Sequence, residues 1–345
     1  MDLEMLQTRS SIIKRIRSFF ENKGYLELDT PLLSPDLIPE SCLEVFQTER
    51  LHPHGSKKLS IPLWLIPSPE IWMKKIIAQH RVNIFQICKC FRNSESEGRL
   101  HSGEFTMLEY YTMEADYLDS LKLTEELVAY LLINREQGAI SNEQEVGSNE
   151  QGAGSFLSFE RITVSQAFLK YAGFDLFEAA ENVGAMEREA CKLGLEPPAG
   201  LTVPQLYDLI FIHAVEPKLK TERPVFLIDY PAFVPCLAIN NEQRVKQKER
   251  GSTVERWELY WNGLELANCY SEETCPQKVK EFFISEEAAK AQASLVQHRV
   301  DHDYWKLFEL GFPRCSGVAL GVDRLIMALT GKVDIDGVLP FGVTG

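Results

Sequence analysis

The feature that most constrains the fold is the run WELYWNGLELAN, in which Asn262 and Gly263 separate two apolar, alternating segments. An Asn-Gly pair in this setting is the strongest local signal for a two-residue type I′ turn between antiparallel strands. Such a turn fixes the register, and the predicted cross-strand pairs are Trp261 with Leu264, Tyr260 with Glu265, and Glu258 with Ala267. Part of this chain is therefore expected to fold as an antiparallel sheet.

Two carboxylates of this hairpin, Glu258 and Glu265, are expected on one face of the sheet as diagonal neighbours. Carboxylate oxygens are the ligands that Mg²⁺ prefers, and Mg²⁺ bound in this way commonly also holds phosphate oxygens. The hairpin therefore predicts a magnesium site at Glu258 and Glu265. The alternative is an ordinary solvated sheet face.

A second antiparallel pair is predicted from the runs FQICKCFRN and EFTMLEYYTM, which are joined by the polar segment 94–103. Alternation along each strand places these residues on shared faces: Gln86, Cys88, Cys90 and Arg92 in the first strand, and Phe105, Met107, Glu109 and Tyr111 in the second. An arginine on such a face suits bidentate recognition of phosphate or carboxylate. An internal ion pair between Arg92 and Glu109 is the alternative interpretation.

The remaining elements follow from periodicity and from glycine and proline positions. An amphipathic helix carrying Ile12, Ile16, Phe19 and Phe20 is expected to end at Gly24, followed by a strand from Tyr25 to Leu33. Residues 134–155 repeat the triplet NEQ amid Gly and Ser, which predicts a low-complexity insertion in a mobile surface loop. Near the C-terminus, GVALGVDRLIMALTG predicts a glycine-punctuated strand that runs into a helix.

Composition excludes several classes of function. The chain has 345 residues and a formal net charge of -14, which argues against a broad basic surface for nucleic acid. It contains no run of about 18 apolar residues, the length of a membrane-spanning helix, and no pattern of a secretory signal. The eight cysteines show no paired CxxC spacing, which favours buried thiols over a disulfide framework. The protein is therefore expected in the cytoplasm.

Taken in order, three segments resemble the signature motifs of class II aminoacyl-tRNA synthetases. The opening helix with GYLELDTP is similar to motif 1, FRNSESEGRLHSGEF to motif 2, and GVALGVDRL to motif 3. The phrases PSPEIWMKK, GEFTMLEYY and GLELANCYSEE resemble lysyl-tRNA synthetases. The resemblance implies an α+β fold, an antiparallel sheet flanked by helices, in a single catalytic domain over residues 1–345.

The resemblance also implies a role for each matching residue. It assigns the α-phosphate of ATP to Arg92, the two faces of adenine to Phe105 and Arg324, and the γ-phosphate to His101, with Arg92 and Arg324 as the catalytic pair. Gly321 and Glu95 complete the expected ATP site. The family usually has Glu two residues after the motif 2 arginine, where this chain has Ser94, and the loop is one residue longer than usual, so Glu97 is the alternative to Glu95. Mg²⁺ is expected on Glu258 and Glu265. The residues implied around the amino acid are Glu70, Glu109, Tyr111, Asn268, Glu272 and Ala319.

Motif 1 begins almost at Met1, so an N-terminal anticodon-binding OB-fold of the lysyl-tRNA synthetases is not expected. A lysyl-type core without that domain resembles the elongation factor P lysine ligase family. The resemblance implies that ATP and Mg²⁺ convert lysine or β-lysine to its adenylate, which is then transferred to a lysine side chain of elongation factor P and not to tRNA. A homodimer is also implied, and no base for the acceptor amine is identified. The alternatives are a minimal tRNA ligase, a small-molecule amide ligase and a catalytically silent regulatory paralogue.

Overall fold

The computed structural model describes residues 3–52, 59–93, 98–137, 158–241 and 251–341. A helix continues as far as Gln137, so the predicted start of the low-complexity insertion at residue 134 was wrong. From residue 138 to residue 155 the predicted surface loop lies outside the described residues.

The elements of the described residues follow the sequence patterns closely in the two hairpins and near both ends of the chain. The strands are β1 (Leu26–Glu27), β2 (Leu33–Ser34), β3 (Gln47–His52), β4 (Leu59–Leu65), β5 (Ile84–Phe91), β6 (Glu104–Met113), β7 (Glu160–Thr163), β8 (Val225–Pro231), β9 (Thr253–Trp261), β10 (Leu264–Ser271) and β11 (Cys315–Gly321). The α-helices are α1 (Leu3–Asn22), α2 (Glu70–His80), α3 (Tyr117–Gln137), α4 (Val164–Ala167), α5 (Leu176–Ala179), α6 (Val183–Lys192), α7 (Val203–Ile210), α8 (Pro276–Ala293), α9 (Lys306–Glu309) and α10 (Val322–Thr330).

One large sheet organises these elements, with strand order β1-β5-β6-β11-β10-β9-β8-β7. The pairs from β5 to β8 are antiparallel, and only the edge pairs β1 with β5 and β7 with β8 are parallel. Strands β2, β4 and β3 form a separate three-stranded antiparallel sheet. The predicted α+β class is therefore confirmed.

The Asn262-Gly263 turn forms as predicted, and both residues have the positive φ that a type I′ turn requires. Trp261 pairs with Leu264 and Tyr260 with Glu265, as the turn dictates. The predicted partner of Glu258 was wrong. The register shifts between Glu265 and Ala267, so that Glu258 pairs with Asn268 and Ala267 pairs with Leu259. A β-bulge places one extra residue in one strand, so counting residues from the turn gives the wrong partner beyond it.

The segment Tyr25–Leu33 was predicted as one strand, and this was wrong. Only Leu26–Glu27 and Leu33–Ser34 are strands, and they lie in different sheets. Between them, Thr30-Pro31 ends the pairing because proline has no N–H to donate and restricts the residue before it.

The apolar face of α1 packs into the main core of the molecule. Its residues Ile12, Ile16, Phe19 and Phe20 are buried against β6, β11, α3 and α10. Burial within the same chain accounts for these side chains, so their number does not by itself argue for a dimer.

The central strands are covered on both faces. In β6, Leu108 and Tyr110 face the core beneath α1 and α3, whereas the alternate residues Glu109 and Tyr111 face the opposite side. That opposite side forms the wall of a cavity of about 610 Å³. None of the described helices has the length and apolar character that a membrane crossing requires.

Candidate active site

A cavity of about 610 Å³ lies over the face of β6, β10 and β11 that points away from the main core. It brings together residues from both predicted hairpins, from PSPEIWMKK and from GVALGVDRL. The predicted site residues that line it are Glu70, Arg92, His101, Phe105, Glu109, Tyr111, Glu265, Asn268, Glu272, Ala319, Gly321 and Arg324. Glu258 does not line the cavity, and Glu95 and its alternative Glu97 lie outside the described residues, as does Ser94.

Two arginines mark one end of the cavity. The guanidinium carbon of Arg92 lies 5.2 Å from the centre of the Phe105 ring, close enough for a cation–π contact. Arg324, at the start of α10, donates from Nη1 to the carbonyl oxygen of Glu265 at 3.0 Å and from Nε to that of Leu100 at 3.3 Å. These contacts join motif 3 to the bulged strand β10 and to the loop that carries His101. Two arginines beside an aromatic ring suit a ligand with a planar nucleobase and a chain of phosphates.

Asp323, beside Arg324, fixes the orientation of α10. Its carboxylate is buried, accepts from the backbone N–H of Thr106 at 2.6 Å and pairs with Arg9 of α1 at 2.6 Å. Arg9 also donates to the Thr106 hydroxyl at 2.8 Å. Buried charges need such partners to offset desolvation. Asp323 thus ties α1, β6 and α10 together, a role for Arg9 that the sequence analysis did not find.

The other end of the cavity holds three carboxylates. Glu109 accepts hydrogen bonds from the hydroxyls of Ser68 at 2.6 Å and Tyr111 at 2.7 Å. Burial, reinforced by the nearby charge of Glu70, raises the pKa of Glu109 to about 8. The pKa of Glu272 is raised to about 7, chiefly by burial and in spite of a nearby lysine. Burial thus favours the protonated form of these carboxyls, and a cationic ligand would displace their protons.

That lysine is Lys74, which is only 2% exposed and bridges the other two carboxylates. Its Nζ lies 2.6 Å from Oε1 of Glu70 and 2.7 Å from Oε2 of Glu272. Burial lowers the pKa of the ammonium, but Glu272 and Glu70 outweigh it and the net shift is upward. When all four groups are ionised, three carboxylates against one lysine leave two negative charges unbalanced. The sequence analysis missed Lys74, although its i,i+4 spacing from Glu70 on a helix was a usable signal.

Gly317 leaves room for the side chains at the carboxylate end of the cavity. A Cβ at this position would stand 2.4 Å from Oε1 of Glu272 and 2.5 Å from Cε1 of Tyr111, distances at which atoms overlap. At Gly321 the nearest atom to such a Cβ would be 3.8 Å away. Close packing therefore requires glycine at 317 and not at 321.

Asn268 and Ala319 also line the cavity. They are paired across β10 and β11, and Ala319 also pairs with Glu109 of β6. Asn268 donates from Nδ2 to the Tyr270 hydroxyl at 3.1 Å. Both residues therefore stand in the same row of the sheet as Glu109.

The two predicted metal ligands differ in their surroundings. Glu258 is buried and accepts from Arg256 at 2.5 Å and from the Tyr260 hydroxyl at 2.6 Å. Glu265 faces the cavity, and its pKa is raised to about 7 by burial and by the charge of Glu258. Within the described residues no group of three or more His, Cys, Asp or Glu side chains is placed to hold a metal ion by itself. Glu265 fits Mg²⁺ when phosphate oxygens complete its coordination, whereas both carboxylate oxygens of Glu258 are engaged by Arg256 and Tyr260.

Arg256 was also missed by the sequence analysis. Besides Glu258, its guanidinium contacts two aromatic rings, with its carbon 4.2 Å from the centre of Tyr230 and 5.4 Å from that of Tyr270. It lines the cavity and brings a third arginine to it, alongside Arg92 and Arg324.

Comparison with known proteins supports this description. The profile of the family "tRNA synthetases class II (D, K and N)" matches residues 2–345. A relative from Vibrio atlanticus (strain LGP32), an elongation factor P–(R)-β-lysine ligase, is 34% identical over 346 aligned positions, which cover 98% of this chain and 95% of that protein.

Proposed function

The chain belongs to the class II tRNA synthetases (D, K and N), and we propose that it uses ATP to activate lysine or β-lysine and attaches it to a lysine side chain of elongation factor P. The observation that carries this proposal is the group of Glu70, Glu109 and Glu272 around Lys74 at one end of the cavity. An excess of two negative charges matches an amino acid that carries two ammonium groups. A neutral or acidic amino acid would leave those charges unpaired, which is costly away from water.

The activation step joins the two ends of the cavity. The substrate carboxylate attacks the α-phosphorus of ATP and pyrophosphate leaves. Arg92 is suited to neutralise the phosphate, with Phe105 and Arg324 enclosing the adenine. Glu265, with Glu258 behind it, would hold Mg²⁺, which supplies charge neutralisation to the phosphates when bound. The protein's own contribution is to hold the reacting groups in line and to exclude water.

The acceptor is proposed from the relative in Vibrio atlanticus, whose name states elongation factor P and (R)-β-lysine. The net charge of -14 supports a protein acceptor over tRNA, since tRNA binding depends on neutralising phosphates with basic side chains. We also propose that the reaction takes place in the cytoplasm. The eight cysteines are free thiols, which supports a reducing compartment.

Pyrophosphate exchange tests the first step. Purified protein, ATP, Mg²⁺ and either lysine isomer should exchange labelled pyrophosphate into ATP, and a complete lack of exchange would overturn the enzyme assignment. Transfer is then followed in parallel by the intact mass of elongation factor P and by acid-precipitable tRNA. Charging of tRNA without a mass gain on the factor would favour the minimal synthetase instead.

We further propose a symmetric homodimer, because motif 1 forms the dimer interface in class II synthetases. The exposed part of α1 carries Leu3 and Leu6, which are 69% and 39% exposed. Light scattering should give a mass near twice 39.3 kDa, and a mass of 39.3 kDa at micromolar concentration would contradict the proposal.

A further inference from the structure

The transfer step needs a base, and the structure offers one at the cavity wall that the activation step does not use. An acceptor lysine reaches the site as an ammonium and must lose a proton before its nitrogen can attack. We propose that the carboxylate of Glu40 takes that proton, an inference that rests on the proposed function. Glu40 lines the same cavity as Arg92 and Glu70, the residues expected at the phosphate and at the amino acid.

The position of Glu40 is set by the backbone around it. Lys290, buried on α8, donates from Nζ to the carbonyl oxygens of Glu40 and Leu43. The backbone N–H of Ser41 donates to Glu286 of α8 at 2.7 Å. The loop that carries Glu40 is thus fastened to α8 by its main chain, which leaves the side chain to face the cavity.

Most other carboxylates at the cavity are already engaged. Glu70 and Glu272 hold Lys74, and Glu109 accepts from two hydroxyls. Glu286 accepts from Ser41, and Asp323 pairs with Arg9. The side-chain carboxylate of Glu40, by contrast, makes no hydrogen bond or ion pair with any residue in the described part of the chain.

The electrostatic surroundings of Glu40 suit a base that works near neutral pH. Burial is the main cause that raises its pKa to about 7, and the charge of Glu70 adds to it. The positive charges of Arg92 and Lys290 lower the pKa of Glu40, and the charge of Glu286 raises it slightly. A general base is most effective when its pKa lies near the working pH.

Asp208 is the other cavity carboxylate to compare with Glu40. It lies on α7, and the charges that act on it are those of Arg256 and of Glu258, one of the two predicted metal ligands. The charges that act on Glu40 include those of Glu70 and Arg92, which flank the expected bond between the amino acid and the phosphate. The acceptor nitrogen must approach that bond, so Glu40 is better placed than Asp208 to take its proton.

The step balances as follows. The acceptor ammonium gives a proton to the Glu40 carboxylate, and the neutral amine forms an N–C bond with the carbonyl carbon of the adenylate. The bond from that carbon to the phosphate oxygen breaks, and AMP leaves with the electron pair. The second proton of the nitrogen passes to water, and Glu40 returns its own proton to solvent.

The test compares the two half-reactions in the whole protein. Glu40→Gln is assayed for pyrophosphate exchange, and for transfer from preformed enzyme-bound adenylate to elongation factor P in a single turnover. We expect the ratio of transfer to exchange to fall about 100-fold or more, the lower range for loss of a general base. Asp208→Asn is the matched control and should leave that ratio unchanged. Exchange by the variant shows that it is folded.

The pH profile separates a base from a residue that only shapes the cavity. Transfer by the unaltered protein should rise with pH through about 7, as Glu40 loses its proton, and then level off. In Glu40→Gln that step should disappear, and transfer should keep rising toward the pKa of a free lysine, about 10. Equal losses in both half-reactions, or an unchanged pH step, would overturn the inference. Absence of exchange in the unaltered protein would instead overturn the proposed function.

Discussion

Replacing Lys74 by methionine is expected to destabilise the protein strongly at pH 8. Lys74 is 2% exposed and contacts Glu70 and Glu272 at 2.6 and 2.7 Å. The substitution keeps most of the apolar volume but leaves two carboxylates facing each other without a cation. Removing one partner of a buried ion pair costs about 3 to 5 kcal/mol of the free energy of unfolding.

The cost should depend on pH in a defined direction. The pKa of Glu272 is already raised to about 7 with Lys74 present, and it will rise further without that ammonium. A carboxyl whose pKa is higher in the folded than in the unfolded protein favours folding at low pH, and this advantage is lost as the pH rises through the folded pKa. At pH 5 the Glu272 carboxyl is protonated and neutral, so the deficit should shrink to about 1 to 2 kcal/mol from lost hydrogen bonds.

Urea unfolding followed by tryptophan fluorescence at pH 5 and pH 8 measures this difference. Lys75→Met is the matched control, since Lys75 is the next residue and pairs with Asp301 at 2.7 Å with its side chain 34% exposed. A partly exposed pair of this kind contributes about 0 to 1 kcal/mol. The double variant Lys74→Met, Glu272→Gln should recover part of the free energy of unfolding lost at pH 8, because it removes one of the two unpaired carboxylates. A deficit at pH 8 no larger than that of Lys75→Met would refute the reasoning.

Three further predictions concern the amino-acid end of the cavity. Glu272→Gln should weaken binding of the amino acid by about 2 to 5 kcal/mol and leave ATP binding nearly unchanged, because the amino acid, unlike ATP, brings an ammonium to that carboxylate. Equal losses of affinity in calorimetric titrations with the amino acid and with ATP would count against this role. Gly317→Ala should abolish binding of the amino acid because its Cβ would lie 2.4 Å from Glu272, whereas Gly321→Ala, with 3.8 Å of clearance, should preserve it in the same titration. Binding of a diamino acid at pH 7 should release on the order of one proton, because the pKa of Glu109, about 8 without the amino acid, falls when an ammonium lies beside it. Calorimetry in two buffers of different protonation enthalpy detects the released proton. Equal binding heats in the two buffers would contradict the prediction.

Much of the fold could be predicted from local signals. The Asn262-Gly263 turn, the second hairpin around residues 94–103 and the strand that runs into α10 are all present, because turn chemistry and alternation are properties of adjacent residues. The prediction failed where one residue breaks the pattern. The bulge after Glu265 moved the partner of Glu258 by one position, and Pro31 divided a predicted strand between two sheets.

The residues of the candidate site could be named from sequence, but their partners could not. Arg92, Phe105, Glu109 and Arg324 were found because they belong to ordered motifs, and the structure brings them to one cavity. Lys74, Arg9 and Arg256 were missed, since each acts on a carboxylate and belongs to no expected contact with a substrate.

The sequence by itself determined which residue types are available to the site, their order along the chain and the local turns that align neighbouring strands. Only the tertiary structure decided that Lys74 on α2 meets Glu272 at the end of β10, that Arg9 on α1 holds Asp323, and that the loop with Glu40 faces the same cavity. The physical reason is that these contacts join distant segments. Their distances depend on strand order and on how helices pack against the sheet, whereas local periodicity reports only whether a residue faces inward or outward.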